Sequence, residues 1–371
     1  MKKTTLLFLM LALSTLSMAQ EKLHIKGKLK GLTEDARLFL VSGNQEEEIA
    51  KQGENFEIEL QLIEAPATVY LLVSDASGHK NTRFFLGNEA VVIEGSMDNF
   101  SQDIRAINSK NDQLRYENYL ASRALRLEGN KIQQEAMDLW NQGKRDSIQY
   151  IYYNQVEPLG KMTKIYRQVN QIDYVFIEKH INTPYGRAML QYVKDRYTED
   201  QLRHLLNLVK PKYKQSKEVL YLDALVNYKQ LELGDSFYDF TALDHKGNTV
   251  AFSDFFQGKP VILEFSTIQC GACQEAAPHT SKLAEEVKDK VTYVTYYVDD
   301  GEEAMQMYYE LKGSKGIMLW NKEGRMSLMN AKYKIEGTPS YIFFDAEGKV
   351  AHIEVGYETG VFEQMVKTWL K

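Results

Sequence analysis

The chain is poor in cysteine, with two among 371 residues, Cys270 and Cys273. An exported chain that relied on disulfides for its stability would usually carry several, so a disulfide scaffold is excluded. A structural zinc site would need about two further ligands at suitable spacing. The sequence offers no second Cys pair and no His-x3-His, so no metal is expected. Positive charge is not in excess, with 45 Lys and Arg against 51 Asp and Glu, and no basic patch suited to nucleic acid is present. Beyond the first twenty residues no apolar run has membrane-spanning length. Internal repeats, a phosphate-binding glycine loop and a metalloprotease motif are all missing.

What is present centres on Ser266-Thr267-Ile268-Gln269-Cys270-Gly271-Ala272-Cys273. The apolar run Val261-Ile262-Leu263-Glu264-Phe265 precedes it, and a stretch of helical period follows to about Lys290. A strand, a sharp turn carrying Cys-x-x-Cys and a helix form the setting of a dithiol/disulfide redox pair. With the helix starting at the motif, Cys270 lies at its N-terminus, where unpaired N–H groups and the helix dipole favour a thiolate. Cys273, one turn further in, is placed to displace a mixed disulfide from Cys270. A structural disulfide across so short a loop would remove little chain entropy. Two inert buried thiols are the remaining alternative.

From the start of the chain, Met1-Lys2-Lys3, the apolar stretch Leu6 to Leu16 and Ser17-Met18-Ala19 have the n-region, h-region and small-x-small site of a secretory signal peptide over 1–19. No cysteine follows it to carry a lipid anchor. Losing Lys2 and Lys3 would take the formal net charge from −6 to −8. Residues 20–106 alternate apolar and polar in short runs, among them Leu23, Ile25 and Leu29, then Phe56, Ile58 and Leu60. That pattern predicts a small antiparallel β domain, with Glu46-Glu47-Glu48 in a solvated loop. Residues 107–232 turn to helical period, with helices expected over Gln113–Leu127, Lys131–Val156, Lys161–Ile181 and Arg187–Arg196. Leu202, Leu205, Leu206 and Val209 form an apolar stripe, Pro211 ends that helix, and another runs from about Ser216 to Leu231. The tyrosines Tyr150, Tyr152, Tyr153, Tyr166, Tyr174 and Tyr185 are read as packing residues rather than a ligand surface. Residues 233–371 alternate strand and helix with near-continuous apolar strands, the signature of an α/β layer fold.

Two further features carry chemistry. Glu264 interrupts an otherwise apolar strand six residues before Cys270. Either it is buried beneath the dithiol as a general base for Cys273, or it sits at the strand's end and reaches water. Gly337-Thr338-Pro339 precedes the apolar strand Ser340–Phe344, where Pro339 could be a cis residue or a trans strand opener.

Strand–Cys-x-x-Cys–helix, followed by Gly-Thr-Pro, an apolar strand and the Asp345-Ala346-Glu347-Gly348 turn, resembles the thioredoxin superfamily. More narrowly it is similar to the TlpA/ResA branch of exported thiol–disulfide oxidoreductases. The stretches Leu233–Phe240 and Lys259–Phe265, and Pro278 five residues after Cys273, share that likeness. The resemblance implies a thioredoxin-like fold over 233–371, with Cys270 attacking and Cys273 resolving as a redox-active pair. It also implies a buried acid at Glu264, a cis Pro339 facing the dithiol, and partner contacts from Thr338, Gly271 and Ala272. The expected partners are protein thiols or disulfides and an upstream electron donor or acceptor, with no cofactor, in the periplasm. Three departures touch the partner-facing surface: Gln269 replaces the usual aromatic, Gly-Ala replaces the common Gly-Pro, and Ser266 stands where Trp is frequent. The redox direction is left open, since about 30 mV corresponds to about 1.4 kcal/mol. Two other functions stay in view. Thr267-Ile268-Gln269-Cys270 reads as the Thr-x-x-Cys of a peroxiredoxin-like peroxidase, although Leu263 stands where that family places proline. Alternatively, the front half binds a partner or an envelope glycan and the redox module is accessory.

Overall fold

The computed structural model describes residues 22–43, 45–100 and 103–371. The expected signal peptide over 1–19 therefore lies outside the described residues. Among the described residues no helix is long and apolar enough to cross a membrane. The chain divides into two compact units between Val169 and Asn170.

Two sheets fill the front of the first unit. One runs in the order Lys51–Gln52, Asn55–Leu60, Leu23–Lys30, Ala90–Ser96, Ala106–Ile107; the other in the order Gln45–Ile49, Arg37–Ser42, Ala67–Asp75, Gly78–Leu86. Alternation builds the core: Leu23 and Ile25 point inward beside Phe56, Val69, Leu71, Phe84 and Ile93, all buried. Each such side chain contributes about 1.5–3 kcal/mol on burial.

Two expectations need correction here. The domain is not wholly antiparallel, because Leu23–Lys30 pairs with Ala90–Ser96 in parallel. The chain passes through the other sheet between those strands and returns in the same sense. The acidic run is not a loop either, since Glu46, Glu47 and Glu48 lie in the edge strand Gln45–Ile49, paired with Arg37–Ser42. Backbone hydrogen bonds hold this strand while its carboxylates face out, and charge on an edge discourages further pairing.

Ser109 caps a single helix, Lys110–Asn141, its Oγ accepting the Asp112 N–H at 3.1 Å. Two helices were expected over this stretch, with a break near Gly129. The glycine is instead buried in mid-helix, where an added Cβ would lie 3.3 Å from the Ile165 side chain, so its small size serves close packing. The chain turns later, at Gly143, whose φ is +76°. Tyr152 is buried as expected of a packing residue, whereas Tyr150 and Tyr166 are exposed.

In the second unit the helices Pro184–Val193, Glu199–Asn207 and Lys217–Asn227 precede the α/β layer. Leu202, Leu205, Leu206 and Val209 are all buried, so the helical stripe is a packing face. A sheet follows in the order Thr249–Ala251, Thr241–Asp244, Ile317–Trp320, Thr292–Tyr297, Val261–Ser266, Ser340–Phe344, Val350–Val355. Val261–Ser266 runs parallel to Thr292–Tyr297 and antiparallel to Ser340–Phe344, and all six of its residues are buried. Its β-branched and aromatic residues suit a strand covered on both faces. Its C-terminal end passes through a four-residue turn into the helix Gly271–Val287, which contains Pro278.

Candidate active site

Cys270 is the N-cap of the helix Gly271–Val287, with extended backbone angles of φ −112° and ψ 119°. Its sulfur takes the place usually held by a capping oxygen and accepts the Cys273 N–H at 3.3 Å. The first turn of a helix leaves N–H groups unpaired, so a sulfur placed there is met by donors and by the positive end of the helix dipole. Cys270 is half-buried and Cys273 fully buried, and both are free thiols.

The second wall of the site comes from another part of the chain. Thr338 and Pro339, joined by a cis peptide bond, precede the strand Ser340–Phe344, the antiparallel neighbour of Val261–Ser266. That pairing carries the Thr338 carbonyl to 3.1 Å from Cys270 Sγ, where it accepts from the thiol. Gly271 and Ala272 are exposed on the first turn beside the sulfur. The structure thus gathers Cys270, Cys273, Thr338, Pro339, Gly271 and Ala272, which the sequence had singled out.

The two thiols are driven apart electrostatically. Burial raises Cys270, but hydrogen bonds from the Cys273 side chain and N–H outweigh it, so Cys270 lies below the ordinary thiol value. Burial pushes Cys273 up to about 11. One sulfur is therefore prepared as a nucleophile and its neighbour is kept protonated.

Glu264 is buried rather than solvated, on the strand directly beneath the motif. It is also paired, a feature not foreseen from sequence. Lys312 Nζ donates to Glu264 Oε2 at 2.8 Å and to Thr280 Oγ1 at 2.8 Å, and Thr295 Oγ1 donates to the same Glu264 oxygen at 3.0 Å. Tyr308 donates from 3.4 Å toward Glu264 Oε1 and from 3.2 Å toward the Cys273 carbonyl. Tyr308 lies on the helix Glu302–Leu311 and Lys312 is its C-cap. Both are more than forty residues from Glu264, and no local pattern marks either. Asp299 is another site residue the sequence did not reveal. It accepts from Thr267 Oγ1 and, on its other oxygen, from Arg325 Nε at 2.5 Å. Thr267 Oγ1 in turn accepts the Gln269 N–H at 3.1 Å, so this carboxylate braces the turn that delivers Cys270.

Residues 232–368 match the Redoxin family. The C-terminal domain is thioredoxin-like. Among curated proteins, the chloroplastic thioredoxin-like protein HCF164 of Arabidopsis thaliana is 28% identical over 120 residues, covering 32% of this chain and 35% of that protein. Its counterpart in Oryza sativa subsp. japonica is 27% identical over 125 residues, covering 33% and 37%. The chain spans about a third of the length of these curated relatives. Among solved structures, the thioredoxin domain of a thiol-disulfide oxidoreductase from Bacteroides vulgatus is 26% identical, with TM-score 0.35, covering 38% of this chain and 100% of that one. A putative thiol:disulfide interchange protein DsbE from Chlorobium tepidum is 23% identical, with TM-score 0.35 and the same coverage. Each likeness spans a length comparable to that of the redoxin match.

Proposed function

We propose that this chain is a periplasmic thiol–disulfide oxidoreductase of the TlpA/ResA-like kind, acting on protein disulfides through Cys270 and Cys273. One observation carries the reading. Cys270 Sγ caps the helix with the Cys273 N–H 3.3 Å away, while Cys273 itself is buried behind it.

The Cys270 thiolate attacks a partner disulfide, forming a Cys270–partner S–S bond and releasing the partner's other sulfur as a thiolate, which takes up a proton. Cys273 then loses its proton and attacks Cys270 Sγ, closing the Cys270–Cys273 disulfide and releasing the second partner thiolate. The partner gains two electrons and the dithiol loses two. The reverse sequence oxidises a partner dithiol. An upstream donor or acceptor of electrons resets the pair. Glu264, beneath Cys273, assists that proton's departure. The Thr338 and Pro339 backbone, with Gly271 and Ala272, offers the surface on which the partner's extended segment rests. Export by the leader at 1–19, followed by regions 20–106, 107–232 and 233–371, completes the organisation.

Insulin reduction tests the reading, with activity expected from wild type and none from Cys270→Ser. A Cys273→Ala variant should trap mixed disulfides on Cys270 in cells. Trapping nothing there, or rapid hydrogen peroxide consumption by Cys273→Ser, would overturn it in favour of a peroxidase or an accessory role.

A further inference from the structure

In the second unit the helix Lys217–Asn227 packs against the short helix Leu328–Tyr333. Residues of both line a cavity of about 550 Å³, within the range of about 300–1,000 Å³ that suits small organic ligands. Asn321, another of its lining residues, follows the strand Ile317–Trp320. The cavity thus lies beyond the carboxyl end of a strand, where α/β sheets commonly receive ligands. None of the residues that line it belongs to the dithiol site.

The lining has two natures. Leu220, Phe240, Met326 and Met329 form an apolar wall. The charged residues are Lys217 and Lys332 against Glu323, two ammonium groups to one carboxylate. Lys332 is half-buried. Its Nζ donates to the Asp239 carbonyl at 3.2 Å and lies 5.1 Å from the Tyr228 ring centroid. Among the described residues no carboxylate pairs with it, and a charge drawn partly out of water without a counter-ion is costly. Gln215 and Lys217 belong to a stretch in which Lys210, Lys212, Lys214 and Lys217 fall together with no acid among them. In a chain of net charge −6, that stretch concentrates positive potential at the edge of the cavity and draws anions there.

We propose that this cavity binds a small amphipathic carboxylate, with its apolar body against Phe240 and Met329 and its carboxylate on Lys332. An uncharged apolar molecule would leave the Lys332 ammonium without a counter-ion. A polyanion would bring several charges against Glu323 for one cation in excess. A single carboxylate on an apolar body answers both walls. The inference stands apart from the oxidoreductase reading of Cys270 and Cys273.

Isothermal titration of the full-length protein with octanoate should show one saturable site per chain, with a Kd below about 1 mM for a ligand of this size. Octanol, which has the same body without the charge, should bind at least about tenfold more weakly. Lys332→Met should weaken octanoate about tenfold, the scale of a hydrogen bond to a charged group, while Lys332→Arg keeps it within about threefold. Leu220→Trp, which fills the cavity, should abolish binding. Lys332→Met and Lys332→Arg carry the test if Leu220→Trp fails to fold. Absence of a saturable octanoate site overturns the proposal. Equal binding of octanol and octanoate, or octanoate binding unchanged in Lys332→Met, overturns it as well. Activity of Cys270 toward insulin decides the oxidoreductase reading separately.

Discussion

Lys312 Nζ lies 2.8 Å from Glu264 Oε2, and the two side chains are 4% and 0% exposed. The pair joins the C-cap of one helix to the central strand beneath the Cys-x-x-Cys turn. Two charges withdrawn from water gain little net stability together, but removing one strands the other at a cost of about 3–5 kcal/mol. Lys312→Met should therefore destabilise the thioredoxin-like domain by that amount, read as faster hydrogen exchange of the Val261–Ser266 amides. The double variant Glu264→Leu with Lys312→Met should recover most of the loss. A single variant within about 0.5 kcal/mol of wild type would show that the lysine does not compensate the acid.

The two thiols should ionise in separate steps when thiolate absorbance is followed in the reduced protein. Cys270 is expected below the ordinary value of 9.0 and Cys273 at about 11. Alkylation at neutral pH should accordingly modify Cys270 first. Two thiols ionising together near the free-peptide value would contradict the electrostatic separation.

The raised Cys273 value links stability to pH. An unfolded thiol ionises near 9.0 while the folded one holds its proton to about 11. Between those values the folded state binds more protons, so this contribution is complete below pH 9 and is lost as pH rises through 11. The reduced wild type should lose on the order of 1 kcal/mol more than Cys273→Ala between pH 8 and pH 10. Equal losses measured by urea unfolding of the two proteins would refute it.

The first unit has its own buried pair. Asp112 Oδ1 accepts from Arg115 Nε at 2.6 Å and from the Phe85 N–H at 3.1 Å, while Oδ2 accepts the Ala106 N–H at 2.7 Å. One carboxylate thus ties the start of a long helix to strands of both sheets. Asp112→Ala leaves a buried guanidinium and two strand N–H groups without that acceptor, at about 3–5 kcal/mol. Hydrogen exchange at Phe85 and Ala106 should accelerate sharply, and unchanged protection at both would show that the carboxylate is dispensable.

Much of the site was legible because its signals are local. Cys-x-x-Cys between an apolar run and a helical period places both sulfurs without knowledge of any distant residue. The mistaken elements share a different property. The Glu46–Glu48 strand is held by backbone hydrogen bonds to a neighbour that side-chain pattern does not encode. Gly129 stays helical because another helix needs the space above it.

Sequence alone determined that one thiol would stand at a helix N-terminus with its partner a turn behind, since spacing along one segment fixes both. Only the tertiary structure brought Thr338 to Cys270 and closed Lys312, Tyr308 and Ser266 around Glu264. Those approaches depend on strand register and on which helix covers which face. Packing across the whole domain sets both, and no stretch of chain carries them by itself.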